Sequence, residues 1–270
     1  GEIGLDSKIV IIKTKGDAIQ NRSLQSLGTG IFTKALDDAL INGAIDIAVH
    51  SMKDVPTVLS PSLSEYAVLE RGDDGDVLVG NDPSSQVVAT GSIRRKAQWL
   101  RRHPNDVVTD LRGNVETRIE KVKRSEWKGG IFAKAGLVRL NRHLDLADSM
   151  DLDWMIPAPA QGAIVVIGRT EERVFQEQVY QLNHHESSLA VAIERTFLNT
   201  LEGGCAAPIG ARAFVSGKRV KFVGCLTAPD GKSEIRLERE SMEGAPEIGA
   251  VWANELLNEG GREIMRLLQN

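Results

Sequence analysis

The sequence predicts an α/β fold with more than one domain, and three observations carry that reading. Short apolar runs of strand length alternate with amphipathic helical stretches along the chain, the pattern of layered helices and sheets. The chain has 270 residues, of which 41% are hydrophobic, enough for one large domain or two to three smaller ones. Its last segment reads as a helix, a three-stranded meander and a further helix.

The elements follow in order. Lys8 to Lys13 reads as a strand, Phe32 to Ile41 as a helix, and Ile45 to Val49 as a short, buried parallel strand. A new set begins at Asp76-Val77-Leu78-Val79 and continues through Val87 to Thr90. A helix from Ser92 to Arg102, a strand from Asp106 to Asp110 and another at Gly130 to Ala133 complete it. Pro157-Ala158-Pro159-Ala160 reads as a hinge before a strand at Ala163 to Ile167. Ser187 and Ser188 can cap a helix whose apolar stripe is Leu189, Ile193, Phe197, Leu198 and Leu201, and Gly203 and Gly204 end it. The meander takes Gly210 to Val215, Arg219 to Leu226 and Ser233 to Glu240, and an amphipathic helix starts near Pro246. No internal repeat or low-complexity tract is present.

Composition narrows the function classes. A net charge of −4 argues against wholesale nucleic-acid binding. The lack of a long apolar run argues against a membrane span, and no secretory signal opens the chain. Cys205 and Cys225 supply no disulfide framework, so a free thiol in a cytoplasmic enzyme or binding protein is expected. Cys225, flanked by Val223, Gly224 and Leu226, reads as an inert core residue. Zinc-like spacing of Cys and His is missing, and no metal site is expected.

Charge is unevenly placed. Between Thr90 and Arg142 there are 14 Lys and Arg against 5 Asp and Glu, inside an otherwise acidic chain. Such a concentration suits a polyanion of limited size. Arg101, Arg102, Lys121, Lys123 and Arg124 read as a solvated helix face. Arg94, Arg95, Arg112 and Arg118 instead fall at strand-to-helix junctions, where helix N-termini also favour anions.

Two segments carry chemistry. Leu201-Glu202-Gly203-Gly204-Cys205 displays a thiol after two glycines, which let a bulky ligand approach the backbone. Ile45 to Val49 runs into His50-Ser51-Met52-Lys53-Asp54-Val55-Pro56. Lys53 and Asp54 thus lie beyond the carboxyl end of a strand, where ligands of α/β folds bind.

These two segments, with Thr90-Gly91-Ser92-Ile93-Arg94-Arg95 and Leu111-Arg112-Gly113-Asn114-Val115-Glu116-Thr117-Arg118, resemble the porphobilinogen deaminase (hydroxymethylbilane synthase) family. The likeness runs in order from about Lys8 to the C-terminus. It implies three domains: residues 1–68 with 162–180, residues 72–158, and residues 184–270. The first two would be like a type II periplasmic binding protein, and the third a small α+β domain with a three-stranded sheet. The implied activity is a transferase that joins four porphobilinogen units head to tail into hydroxymethylbilane, releasing ammonia. It would act on a dipyrromethane primer held to Cys205 by a thioether, with Asp54 as the catalytic carboxylate. Lys53, Thr90, Ser92, Arg94, Arg95, Arg112, Gly113, Arg118, Arg139 and Gln161 match positions that bind cofactor or substrate carboxylates. Gly28-Thr29-Gly30 matches a mobile loop. A cytoplasmic monomer acting on a small molecule, with no nucleic-acid or membrane partner, is what the resemblance favours.

The match has gaps. The family opens with a strand and an Arg-x-Ser-x-Leu-Ala segment, whereas this sequence starts at Gly1-Glu2-Ile3-Gly4, and a cropped start is the expectation. Gly91 replaces a usual serine, Thr29 a lysine, Ile167 an acidic residue, and Lys134 stands where a small residue is common. Two other readings compete. One is a non-catalytic anion-binding clamp, which needs neither Asp54 nor a thiol. The other is a cysteine hydrolase pairing Cys205 with His184 or His185, for which no orienting residue is recognisable.

Overall fold

Apolar runs become sheets here because each finds a partner that buries it. The computed structural model describes residues 3–12, 33–80, 82–201, 207–242 and 244–268. In chain order its principal elements are α1 (Lys34–Ile41), β1 (Ile47–Ser51), β2 (Leu63–Val68), β3 (Asp76–Val79), β4 (Val87–Ala89), α2 (Ile93–Arg102), β5 (Val107–Thr109), α3 (Val115–Lys123) and β6 (Gly129–Ala133). There follow α4 (Lys134–Arg139), α5 (His143–Ala147), β7 (Ser149–Asp151), β8 (Ile164–Arg169), α6 (Arg173–Tyr180) and α7 (His185–Thr200). The chain ends with β9 (Ile209–Ser216), β10 (Arg219–Thr227), β11 (Glu234–Ser241), α8 (Ile248–Leu256) and α9 (Arg262–Leu267).

Three sheets result, ordered β1-β8-β2, β5-β4-β6-β3-β7 and β11-β10-β9. In the central sheet β4 runs parallel to β5 and β6, while β3 runs antiparallel to β6 and β7. The C-terminal sheet is the expected antiparallel meander. Each sheet has its own core: Leu40, Val165 and Ile167 in the first, Val77, Leu111 and Ile119 in the second, and Ile193, Phe197 and Leu226 in the third.

Three expectations need correction. The strand after Ile45 is not parallel. It pairs antiparallel with β8, Ile47 opposite Gly168 and Ser51 opposite Ile164, because the returning chain reaches it from the other direction. Of the strand expected at Lys8 to Lys13, residues 8–12 form no ladder, and Ile9 and Ile11 stay 90% and 85% exposed. Ser187 and Ser188 do not cap α7. His184 does, accepting from the Ser187 amide at 3.3 Å, while the Ser187 hydroxyl accepts from the amide of Arg71 at 2.9 Å.

α7 joins the first sheet to the C-terminal one. Ile193 and Phe197 face the C-terminal core, whereas Val191 packs into the N-terminal one. Between them Glu194 is fully buried and accepts from both guanidinium nitrogens of Arg71, at 2.6 and 3.1 Å. The amides of Ala160 and Ala213 donate to the same carboxylate, each at 2.6 Å. Arg71 follows β2 and Ala160 precedes β8, so one carboxylate holds both connecting segments and β9. At the far side Gly231, with φ +74°, lies against the end of α2, where a Cβ would sit 2.5 Å from the Arg101 amide nitrogen. Arg101 donates to the Lys232 carbonyl at 2.9 Å. It is therefore exposed, as expected of that helix face, and also tied to the C-terminal sheet's loop.

Removing one partner of a buried ion pair costs about 3–5 kcal/mol, since the other charge is left uncompensated. Glu194→Ala should lose stability of that order, read as a lower urea midpoint of unfolding. Arg71→Met combined with Glu194→Leu should recover part of it. An unchanged midpoint in Glu194→Ala would remove the pair from this role.

Candidate active site

The site is built on the turn that ends β1. Met52, Lys53 and Asp54 form a single 3-10 turn, fastened by the Met52 amide to the Ala163 carbonyl at 3.0 Å. The turn leaves Asp54 exposed at a crowded surface. That crowding raises its pKa, against the opposing pull of Lys53, Arg118 and His50. Burial also lowers the pKa of His50, against Asp37 and Asp54. Lys53 is pushed down to about 8, first by burial and then by the like charge of Arg95. Its Nζ donates to Oε1 of Gln161 at 3.3 Å.

Gln161 is buried between two segments whose neighbouring residues Ala160 and Gly162 both take positive φ, 62° and 86°. Its Nε2 donates to the Asp74 carbonyl at 2.8 Å and to Oδ1 of Asp76 at 2.9 Å. Asp76 opens β3 and is buried. Arg95 donates to its Oδ1 through Nε at 3.0 Å and Nη2 at 2.8 Å, and Arg94 Nη2 lies 2.8 Å from Oδ2. Burial alone would raise this carboxyl's pKa, but the two guanidinium groups and Gln161 outweigh it and hold it at about 2.

Arg94 and Arg95, matched from the sequence to carboxylate-binding positions, both hold the buried Asp76. Arg94 also donates to the Ile156 carbonyl at 2.7 Å, and Arg95 to the Ile131 carbonyl at 3.0 Å. A buried arginine needs a counter-charge, and Asp76 supplies it for both. Any bidentate ligand contact from either would compete with Asp76. Arg94 Nε, buried, has no hydrogen-bond partner among the described residues.

The other cations are held differently. Arg118 donates to the Gly113 carbonyl at 2.6 Å and Arg139 to the Gly162 carbonyl at 2.5 Å. Among the described residues neither they nor Lys53 form an ion pair with a carboxylate. Burial disfavours the charged form of Arg118, and the like charges of Arg95 and Arg112 add to that. Arg112 pairs with the exposed Asp110 at 2.8 Å. Gly113 takes φ +113°, which turns the chain into the Asn114 cap of α3. Thr90 is buried and accepts from the Ser92 amide at 3.2 Å. Ser92 caps α2 as an acceptor from the Arg95 amide at 3.5 Å, so its own hydroxyl proton is left for another acceptor. A cavity of about 50 Å³ opens between Ser51, Lys53, Ala135, Gly136, Arg139 and Gly162. Such a set of cations can bind several carboxylates at once.

Cys205 and Gly28-Thr29-Gly30 lie outside the described residues. Cys225 is buried in β10, and burial pushes its thiol up to about 12, as suits an inert core residue. Two of the unusual positions have structural reasons. Ile167 is fully buried in the N-terminal core, and Lys134 bridges Asp73 at 3.3 Å and Asp151 at 3.0 Å. At Gly91 a Cβ would come within 2.9 Å of the Leu111 carbonyl, so the glycine lets the Arg112 loop approach closely. Sequence reasoning missed Asp76. Its signal was an acid heading the wholly apolar run Val77-Leu78-Val79, because a charge in such a strand needs partners.

Comparison with known proteins adds the family. Residues 2–177 match the family described as porphobilinogen deaminase, dipyromethane cofactor binding domain, and residues 188–258 match porphobilinogen deaminase, C-terminal domain. The chain is 40% identical to porphobilinogen deaminase, chloroplastic, of Pisum sativum, over 94% of this chain and 72% of that protein. It is 41% identical to porphobilinogen deaminase of Thermus thermophilus, over 96% of this chain and 87% of that protein. Among solved structures it is similar to the substrate binding protein of an amino acid ABC transporter. That match has 15% identity and a TM-score of 0.32, covering 56% of this chain and 68% of that one. With two family domains matched in order and two-fifths identity along nearly its whole length, the chain belongs to the porphobilinogen deaminase family.

Proposed function

We propose that this chain joins four porphobilinogen units head to tail into hydroxymethylbilane, releasing ammonia, on a dipyrromethane cofactor bound through Cys205. The observation that carries this reading is Asp54, an accessible carboxylate beside Lys53 and Arg118, cations with no carboxylate ion pair among the described residues. The donor set fits a polycarboxylate cofactor, because an anionic ligand would relieve the like-charge crowding around Arg118. When bound, that group would supply the nucleophilic pyrrole carbon to which the first substrate unit is added. Arg112, Arg118, Arg139 and Lys53 hold acetate and propionate groups, and Thr90, Ser92 and the Gly113 amide add neutral donors. Arg94 and Arg95 contribute their positive field, moderated by Asp76. Asp54 balances developing positive charge and takes and returns a proton at its carboxylate oxygens. Its raised pKa brings its ionised and protonated forms closer in energy.

α7 supports the assignment of Cys205. Its Asn199 accepts from Thr57 just beyond the Asp54 turn, at 3.1 Å, so the helix reaches its end beside that turn, five residues before the thiol. The three cores support division of the chain at residues 1–68 with 162–180, 72–158 and 184–270. A monomer in a reducing compartment such as the cytoplasm belongs to the same proposal, since the thiol must stay free to take the cofactor. Among the described residues no helix is long and apolar enough to cross a membrane.

Intact mass tests the reading directly. The purified protein should carry the mass of a dipyrromethane, and Cys205→Ser should lack it while staying folded, because a hydroxyl is a poor substitute for a thiol nucleophile. A parent mass equal to the bare sequence would instead favour a binding clamp, and cofactor mass retained in Cys205→Ser would refute that attachment.

Asp54→Asn should bind substrate yet lose turnover by about 10²–10⁴-fold, the usual worth of a positioned proton-transfer group. Asp54→Glu keeps the charge and should retain part of the rate. Equal turnover in the two variants would remove the carboxylate from the chemistry.

Lys53 gives a pH signature. It is charged below about 8 and neutral above it, so binding of ligand carboxylates weakens as pH rises through that value. kcat/KM should fall on the alkaline side with a midpoint near 8. Lys53→Arg should carry its own plateau to higher pH, and an unchanged alkaline limb in that variant would exclude Lys53 as its source.

A further inference from the structure

The Asp54 turn is fastened on one side by β8, through the Ala163 carbonyl. On the other side Arg195 of the C-terminal part holds it. Arg195, buried in α7, donates through Nη1 to the Val55 carbonyl at 3.0 Å and the Met52 carbonyl at 3.5 Å, and through Nη2 to the Pro56 carbonyl at 2.6 Å. Glu65 of β2 lies 3.7 Å from Nη2. These carbonyls bracket Lys53 and Asp54 on both sides. A planar guanidinium with donors in a fixed fork can span them, and a lysine cannot. The same helix, six residues after Arg195, reaches Leu201, from which the chain runs on to Cys205.

We infer that Arg195 is a positioning residue for the reaction: it sets the place of the Asp54 carboxylate relative to the cofactor carried beyond the end of its own helix. Its described hydrogen bonds to the turn all go to backbone carbonyls, so it acts on Asp54 through the backbone. Glu194, the preceding residue, ties α7 to the connecting segments, so the two neighbours divide the labour. Glu194 holds the sheets together and Arg195 aligns the reacting groups.

The inference rests on the function proposed above, and the test separates the two. Arg195→Gln and Arg195→Lys are prepared as full-length enzyme and measured for intact mass, kcat and KM with porphobilinogen. A displaced Asp54 should lower kcat by about tenfold to a hundredfold, because small misplacements near reacting atoms cost that much. KM should stay within about twofold of the parent, since Arg112, Arg118 and Arg139 lie on other elements and only Lys53 shares the displaced turn. Cofactor mass should be retained, and the Lys variant, keeping charge and one donor, should recover part of the rate. A kcat within about twofold of the parent in folded, loaded Arg195→Gln would overturn the inference. So would loss of the cofactor mass, which would assign Arg195 to cofactor assembly. Should the Gln variant fail to fold, the Lys variant decides: parental kcat overturns the inference, and reduced kcat at parental KM supports it. A parent enzyme with neither cofactor mass nor turnover would sink the proposed function itself.

Discussion

One buried carboxylate, Glu194, sets the terms for the rest of the molecule. It sits between the first and C-terminal sheets, at the two segments that connect the first sheet to the central one, and has no access to water, so its charge must be compensated by Arg71 and by backbone amides from two separate segments. Burying an ion pair gains little over an apolar contact of the same shape. What it provides is direction. An apolar plug would tolerate sliding between the sheets, whereas a carboxylate with four aimed donors does not. The connecting segments on either side of the cleft therefore have a defined separation, and Gln161, Asp76 and Lys53 inherit it.

The site works by placing two carboxylates in opposite environments. Asp76 is enclosed by Arg94 and Arg95 and stays ionised down to a pH of about 2. Asp54 is crowded without a direct ion-pair partner among the described residues, and its pKa moves up. Pairs of titratable groups driven apart in this way mark a division between a fixed charge and a working one. Asp76 lets the site hold a dense group of cations without repulsion opening it, and Asp54 is the carboxylate to which the proposed function assigns proton exchange.

Much of this was legible in the sequence, and the losses have physical causes. Motif segments gave Lys53, Asp54, Arg112 and Arg118, which fall within one region. Alternation of apolar runs located the strands but carried no information on pairing, so β1 was read as parallel when its partner, β8, arrives antiparallel from a hundred residues away. That Arg94 and Arg95 hold Asp76 was not read from the sequence, because the acid lies on a separate strand. Glu194 was overlooked although it stands on the buried face of α7, at helical spacing from Ala190, Val191 and Phe197. An acid on an apolar stripe is itself a signal that a buried partner exists. Arg101 showed the reverse case, a residue on an exposed helix face that also fastens a loop of the C-terminal sheet.

The antiparallel pairing of Ile47–Ser51 with Ile164–Arg169 has a consequence for how the chain is made. The strand that presents Asp54 emerges from the ribosome long before the strand that completes its sheet. At about 5–20 residues per second, the intervening stretch takes roughly 5–25 s to synthesise. Throughout that interval the first strand has an unmatched edge and the turn has no Ala163 to fasten it. The central sheet is assembled meanwhile from contiguous sequence. Nascent chains thus pass through a stage with a finished middle and an open beginning, the point at which chaperone capture or misassociation between neighbouring polysomes is set to occur.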